Sequence, residues 1–339
     1  MEKLKKRIKN IPNTEKYLIV IILLYSLVVS AINPSFLSLE TLFDICRSWS
    51  GMFIIAIGTL VVMISGGIDV SSTAVAIVSA HITVRLIIAW NIDNVLVTII
   101  MVIFFGGAMG LINACLVQLL KVEPFIITLG TGNVFFGLST MLLGAIQIPG
   151  AAIGKKFAAF GSDPLLTVTM TDGTQVKLTK FVVIVLIVVL ITWFFLRRTT
   201  VGRGIFAMGC SEEAAKRVGY NTFFLKIAAY VYAGALAGVM GMVSTWKVNQ
   251  LTPISLVGDE LTIIAAVVIG GTLPNGGRGK IFGAFLGILV MAIFDSTLVL
   301  IGLSSSWKLL FTGIVLLLSI CATSYQQRVK NRKNFIFTE

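Results

Sequence analysis

Charge is scarce in this sequence. Asp, Glu, Lys and Arg make up only 12% of its 339 residues, against about 25% in a soluble globular chain. Hydrophobic residues make up 57%, and no polar block is long enough to be a separate soluble domain. Histidine is almost missing. His81, the single one, has no acidic or histidine neighbour in sequence and reads as a packing or hydrogen-bonding residue, so no metal site is expected. Cysteine is limited to Cys46, Cys115, Cys210 and Cys321. They lie in or beside apolar runs without metal-like spacing, and they read as packing residues rather than a disulfide framework. A phosphate-cradling loop is absent too. Gly276-Gly277-Arg278-Gly279-Lys280 is glycine-rich and basic but lacks the first glycine at the required spacing and the hydroxyl after the lysine. This chain is not expected to bind ATP or to need a cofactor. It also lacks a Ser/Lys, paired-Asp or His/Glu constellation, so an intramembrane enzyme is the weakest reading.

Apolar length is what the chain has in abundance. Ten segments stand out: 17–32, 43–64, 73–90, 95–119, 124–145, 181–196, 223–245, 260–273, 280–303 and 307–324. Most are apolar on all sides, as helices buried in lipid or among other helices are. The expected fold is all-α and polytopic, with about ten transmembrane helices in a single domain over 1–339. The first segment follows Lys3, Lys5, Lys6, Arg7 and Lys9 and has a loose signal-peptidase match at Val29-Ser30-Ala31. It is long for a signal peptide and reads as an uncleaved span.

The net charge of +12 sits in short segments between apolar runs, which points to membrane orientation rather than nucleic acid. Six cations lie in the N-terminal tail up to Lys16, five between Arg197 and Thr222, and four in the tail 325–339. An even span count puts all three regions, and so both termini, in the cytoplasm. The segment 146–180 then lies outside, although it carries Lys155, Lys156, Lys177 and Lys180. Within it, VTMTDGTQVKLT reads as an exposed hairpin with Asp172-Gly173 at the turn.

Several motifs carry alternative readings. In the cytoplasmic segment 199–222, Ser211 can cap a helix that has Glu212 and Glu213 in its first turn and Lys216 and Arg217 in its last. Gly219 can take the left-handed terminating position. So short a helix needs a surface to pack on: its own protein, or a cleft in a partner protein. In SGGIDVSS (65–72), Asp69 is an intramembrane carboxylate and so a functional candidate. Capping of the next helix by Asp69 is the favoured alternative. Glu260 either meets its own helix N-terminus or faces a polar path. Asn113 and Asn133 are more often interhelical glue than ligands. Paired glycines interrupt apolar runs at Met63–Asp69 and Val268–Gly277, which suggests two pseudo-symmetric halves. Interrupted spans are where transporters place polar groups at membrane depth. Asp69, Asn113, Asn133, Glu260, Gly270 and Gly271 are therefore the candidates for a path or gate. Glycine and alanine clusters at 106–110, 130–137, 233–241 and 283–287 read as sites of tight helix packing.

Four stretches together resemble the permease subunits of bacterial ABC importers of the ribose/xylose/galactose class, a group that includes autoinducer-2 permeases. They are SGGIDVSS (65–72), EPFIITLG (123–130), TVGRGIFAMGCSEEAAKRVG (200–219) and ELTIIAAVVIGGTLPNGGRG (260–279). The resemblance implies a fold like that of vitamin B12 importers. It also implies a second permease chain, two ATPase subunits, an external sugar-binding protein and a bacterial cytoplasmic-membrane location. By position, Glu213, Ala214, Ala215 and Gly219 would belong to the ATPase-coupling element. Two departures stand out. Ser71-Ser72-Thr73 replaces the usual SVG and removes a glycine, and Thr272-Leu273-Pro274 follows Gly271. Branched-chain amino-acid permeases are the nearest alternative within this class. A self-sufficient secondary transporter with Asp69 or Glu260 as its ion site is the alternative from outside it.

Overall fold

The computed structural model describes residues 13–170 and 175–300, then 302, 304, 306–314, 317 and 321. Eight described helices are long and apolar enough to cross a membrane. They are α1 (Asn13–Ile32), α2 (Leu39–Ile64), α3 (Ser72–Ala89), α4 (Val95–Leu120), α5 (Pro124–Leu143), α8 (Phe181–Arg198), α11 (Thr222–Val248) and α13 (Ile281–Leu300). The expected eighth segment, 260–273, is present as α12 (Glu260–Ile269), only 10 residues long. At 1.5 Å per residue it covers about 15 Å, half a hydrocarbon core. Of the last expected segment, 306–314 is helical, and much of the remainder lies outside the described residues.

α11 is the axis of the bundle and packs on α2, α3 and α4. The contact with α4 uses the glycine clusters. A Cβ on Gly106 would strike the Gly234 carbonyl, one on Gly110 the Tyr230 carbonyl, and one on Gly238 the Val102 carbonyl. Backbones this close exchange van der Waals contact over a long seam. α12 and α13 meet in the same way through Gly270, Gly283 and Gly287. The cluster 130–137 behaves differently. Added Cβ atoms at Gly130 and Gly137 meet nothing within 4 Å. α5 turns Thr128, Gly132 and Ser139 inward and leaves Gly130 and Gly137 on an open face.

α3 and α5 run side by side, pinned by His81 Nδ1 to Ser139 Oγ at 3.1 Å and by Arg85 donating to the Leu143 carbonyl. His81 thus makes the hydrogen bond expected of it. One end of the bundle carries the segment 146–180. Strands β2 (Pro164–Thr169) and β3 (Gln175–Thr179) pair antiparallel, with Val168 opposite Val176. This is the expected hairpin, and its turn, Asp172-Gly173, lies outside the described residues. Two short helices not anticipated from sequence precede it, α6 (Gly150–Ile153) and α7 (Lys155–Ser162). Asp93 accepts hydrogen bonds from the Lys156 and Phe157 amides, and Phe157 and Phe160 pack on Trp246. β1 (Ile148–Pro149) pairs with β4 (Gln250–Leu251). The opposite end carries α9 (Thr200–Cys210) and α10 (Glu212–Arg217).

Candidate functional site

The two glycine-interrupted spans end in the same hydrogen-bonded knot. After α2, the amides of Ser65, Gly66 and Gly67 donate to the carbonyls of Val61, Met63 and Val62. After α12, Gly270, Gly271 and Thr272 donate to Ala266, Val268 and Val267, the same three offsets. Gly66 (φ 82°) and Gly271 (φ 86°) hold the left-handed position that ends each helix, a conformation nearly free of cost only for glycine. The two knots touch. The Gly277 amide donates to the Ile64 carbonyl at 2.9 Å, and a Cβ on Gly276 would lie 2.7 Å from Gly66 Cα. Gly209, near the end of α9, fits between them. A Cβ there would overlap both the Ile64 carbonyl oxygen and the Gly277 nitrogen. Lys226 adds a buried donor to the Ser65 carbonyl at 3.5 Å.

From this junction the chain 65–71 runs back into the bundle without helix. Several of its backbone polar groups are met by side chains, as irregular backbone at membrane depth requires. The Val70 amide donates to Thr128 Oγ1 at 3.1 Å. Asp69, 4% exposed, accepts from the Ser71 amide at 2.8 Å and from Ser71 Oγ at 2.6 Å. Ser71 Oγ in turn accepts from Asn113 Nδ2 at 2.7 Å. Asp69 and Asn113 are thus brought into one buried polar chain at the entry to α3, where Ser71 takes the N-cap position and no side chain accepts from the first helical amides.

Glu260 and Asn133 are brought together elsewhere. Thr73 Oγ1 donates to Glu260 Oε1 at 2.6 Å. Glu260 and Asn133 then line a common cavity of about 360 Å³ with Val70, Phe125, Leu129 and Leu261. Asn133 satisfies one donor on the Leu129 carbonyl of its own helix and lies on the open face of α5. Position 133 is the tenth of the 20 residues of α5, so this cavity sits near the middle of that helix. Gly270 and Gly271 do not join it. They border a different, basic cavity at the junction end.

The short helix α10 forms as its sequence dictates. The Ala214 amide donates to the Ser211 side chain at 3.2 Å, Glu212 pairs with Lys216 at 2.8 Å, and Gly219 terminates the helix at φ 93°. The Lys216 hydrogen bond holds the Glu212 carboxyl below its usual range, against partial burial. Thr222 Oγ1 also donates to Glu212 and ties α10 to α11. Ala215 is 3% exposed and packs within this chain. The outward side is Glu213, Ala214, Arg217 and Val218, with Val218 79% exposed. Sequence reasoning missed Val218, Thr73 and Gly209. An exposed valine after a short charged helix was the one available signal; the other two depend on contacts across the fold.

Comparison with known proteins places this arrangement. Residues 41–320 match the family model described as branched-chain amino acid transport system / permease component. The ribose import permease protein of Bacillus subtilis is 32% identical over 87% of this chain and 88% of its own length. The D-allose transport system permease protein of Escherichia coli K12 is 29% identical over 86% of each. The galactose/methyl galactoside import permease protein of Haemophilus influenzae is 27% identical over 93% of this chain and 94% of its own. No solved structure matches the chain. These relatives are transport components rather than enzymes, as expected for a chain with no phosphate loop. This multi-pass membrane chain belongs to the permease-component family of branched-chain amino acid transport systems.

Proposed function

We propose that this chain is the membrane permease of an ATP-driven importer for a simple sugar of the ribose, allose or galactose kind. The sugar reading rests on the relatives, which are named for those sugars and align over nearly their whole length. The observation that carries the permease reading is the junction at Gly209, where the α9–α10 segment touches both interrupted spans at once. A push on α10 from an ATPase reaches the ends of α2 and α12 through backbone contact alone. α10, the junction and both termini face the cytoplasm, and the hairpin end faces a sugar-binding protein outside.

The open face of α5 supports pairing with a second permease chain. Gly130, Gly137 and Asn133 lie on it, and small residues on an exposed helix face suit close helix approach. The sugar path then runs between chains, past Asn133 and Glu260, whose hydrogen-bonding groups suit hydroxyls. Asp69 and Asn113 are spent on each other through Ser71 and serve the scaffold. This also favours the importer over a secondary transporter with Asp69 as its ion site.

The test is uptake in proteoliposomes that hold this chain with its co-encoded ATPase and binding protein. ATP-dependent accumulation of one of these pentoses or hexoses is expected. Uptake of leucine without any sugar would move the assignment to amino acids, and uptake without ATPase would restore the secondary-transporter reading.

A further inference from the structure

A cavity of about 720 Å³ opens at the junction end between α1, α8, α9 and the turn 270–280. Its charges are unbalanced. Arg197, Arg203, Arg278 and Lys280 line it, with Glu15 as the one carboxylate among the described residues. Glu15 is taken by Lys280 at 3.2 Å. Among the described residues the three arginine side chains have no ion pair and no hydrogen bond, and all three are exposed. Three unpaired guanidinium groups on the wall of one cavity offer an anion several charge-assisted donors at once.

The walls say what kind of anion. Leu196, Phe206 and Leu273 form an apolar side to the same cavity. α8 is apolar up to Leu196 and turns basic at Arg197, so the arginines stand at the level where a span leaves the hydrocarbon and meets headgroups. Planar guanidinium groups bind phosphate oxygens in pairs. An apolar wall beside them suits an acyl chain and offers nothing to free phosphate. The outward residues of α10, Glu213, Ala214 and Val218, do not line the cavity, which separates it from the surface proposed for the ATPase.

We propose that this cavity is a binding site for the phosphate headgroup of an anionic phospholipid, held by Arg197, Arg203 and Arg278. The site fixes lipid against α9 and the Gly270–Gly271 knot, one step from the junction.

The test is native mass spectrometry of the full chain in neutral detergent, exposed to an equal mixture of phosphatidylglycerol and phosphatidylcholine. Preferential retention of phosphatidylglycerol is expected. The triple variant Arg197→Gln, Arg203→Gln, Arg278→Gln should reduce it at least about tenfold, since each cation near an anionic headgroup is worth roughly fivefold. Arg→Lys at the same three positions should restore part of it, and Lys155→Gln with Lys156→Gln at the far end should change nothing. Exposed arginines leave folding intact when replaced. Three results would overturn the site: equal retention of both lipids, full retention by the glutamine variant, or displacement of phosphatidylglycerol by excess inorganic phosphate. A glutamine variant that keeps its lipid but loses the ATPase would assign the arginines to an acidic partner surface instead. None of these outcomes depends on which solute is carried.

Discussion

Two asparagines that look alike in the sequence have different environments. Asn113 is fully buried and donates to Ser71 Oγ, which holds Asp69. Asn133 is exposed and bonds only its own helix. Removing a partner from a buried polar chain costs about 1–3 kcal/mol, whereas an exposed change usually stays within about 0.5 kcal/mol. Asn113→Ala should therefore lower the thermal unfolding midpoint in detergent by several degrees, while Asn133→Ala leaves it in place. In reconstituted uptake the order reverses: Asn133→Ala weakens transport at unchanged stability. Equal midpoints for the two variants would contradict the scaffold role of Asn113. Glu260 belongs with Asn133 here, because its carboxylate is held at the cavity by Thr73, a residue that stands where a glycine was expected and contributes a hydroxyl instead.

At the scale of elements, α10 and the knots were unequally legible. The α10 cap, its charge order and its glycine stop are local, so Ser211, Glu212, Lys216 and Gly219 announced themselves. Which side faced outward was not local, and Ala215 turned out to be buried. A carboxylate at Ala215 consequently tests folding and not coupling, because it would be forced into the interior of this chain at a cost of several kcal/mol. Ala214→Glu and Val218→Glu are the informative variants. Both should insert and fold normally yet lose most ATPase association in a pull-down from detergent; intact association would reduce α10 to a solvated loop. The helix breaks were visible as paired glycines, but their contact was not, since no sequence pattern shows that Gly209 lies between them. Gly209→Ala forces a methyl group into two backbones and should abolish ATP-dependent uptake even at low temperature. Gly219→Ala adds its methyl to open space and costs only the left-handed strain, about 1 kcal/mol. Uptake by Gly209→Ala at the wild-type rate would remove the junction from the coupling route.

For the whole molecule, composition and apolar runs were enough to identify a membrane bundle, and the limits of most helices were readable to within a few residues. The structured loop 146–180 was read only as a hairpin, because α6 and α7 are too short for a periodic signal and owe their position to Asp93 and Trp246. The orientation proposed from the cations is directly testable. After replacement of the four native cysteines, a cysteine at Asp172 should react with an impermeant reagent applied outside intact cells, and one at Ser211 should not. The opposite pattern would invert the bundle. The purified chain alone should show no nucleotide hydrolysis, with its ATPase partner present as the positive control.

The single hydrogen bond from Gly277 to Ile64 also makes the molecule its own gauge. It joins the chain breaks that follow α2 and α12 through main-chain atoms, with the Lys226 donor on the neighbouring Ser65 carbonyl. Isotope exchange at the Gly277 amide should be slow while the two breaks abut and fast whenever they part. Measured with and without nucleotide on the assembled transporter, that exchange rate would report the fraction of time the junction spends open.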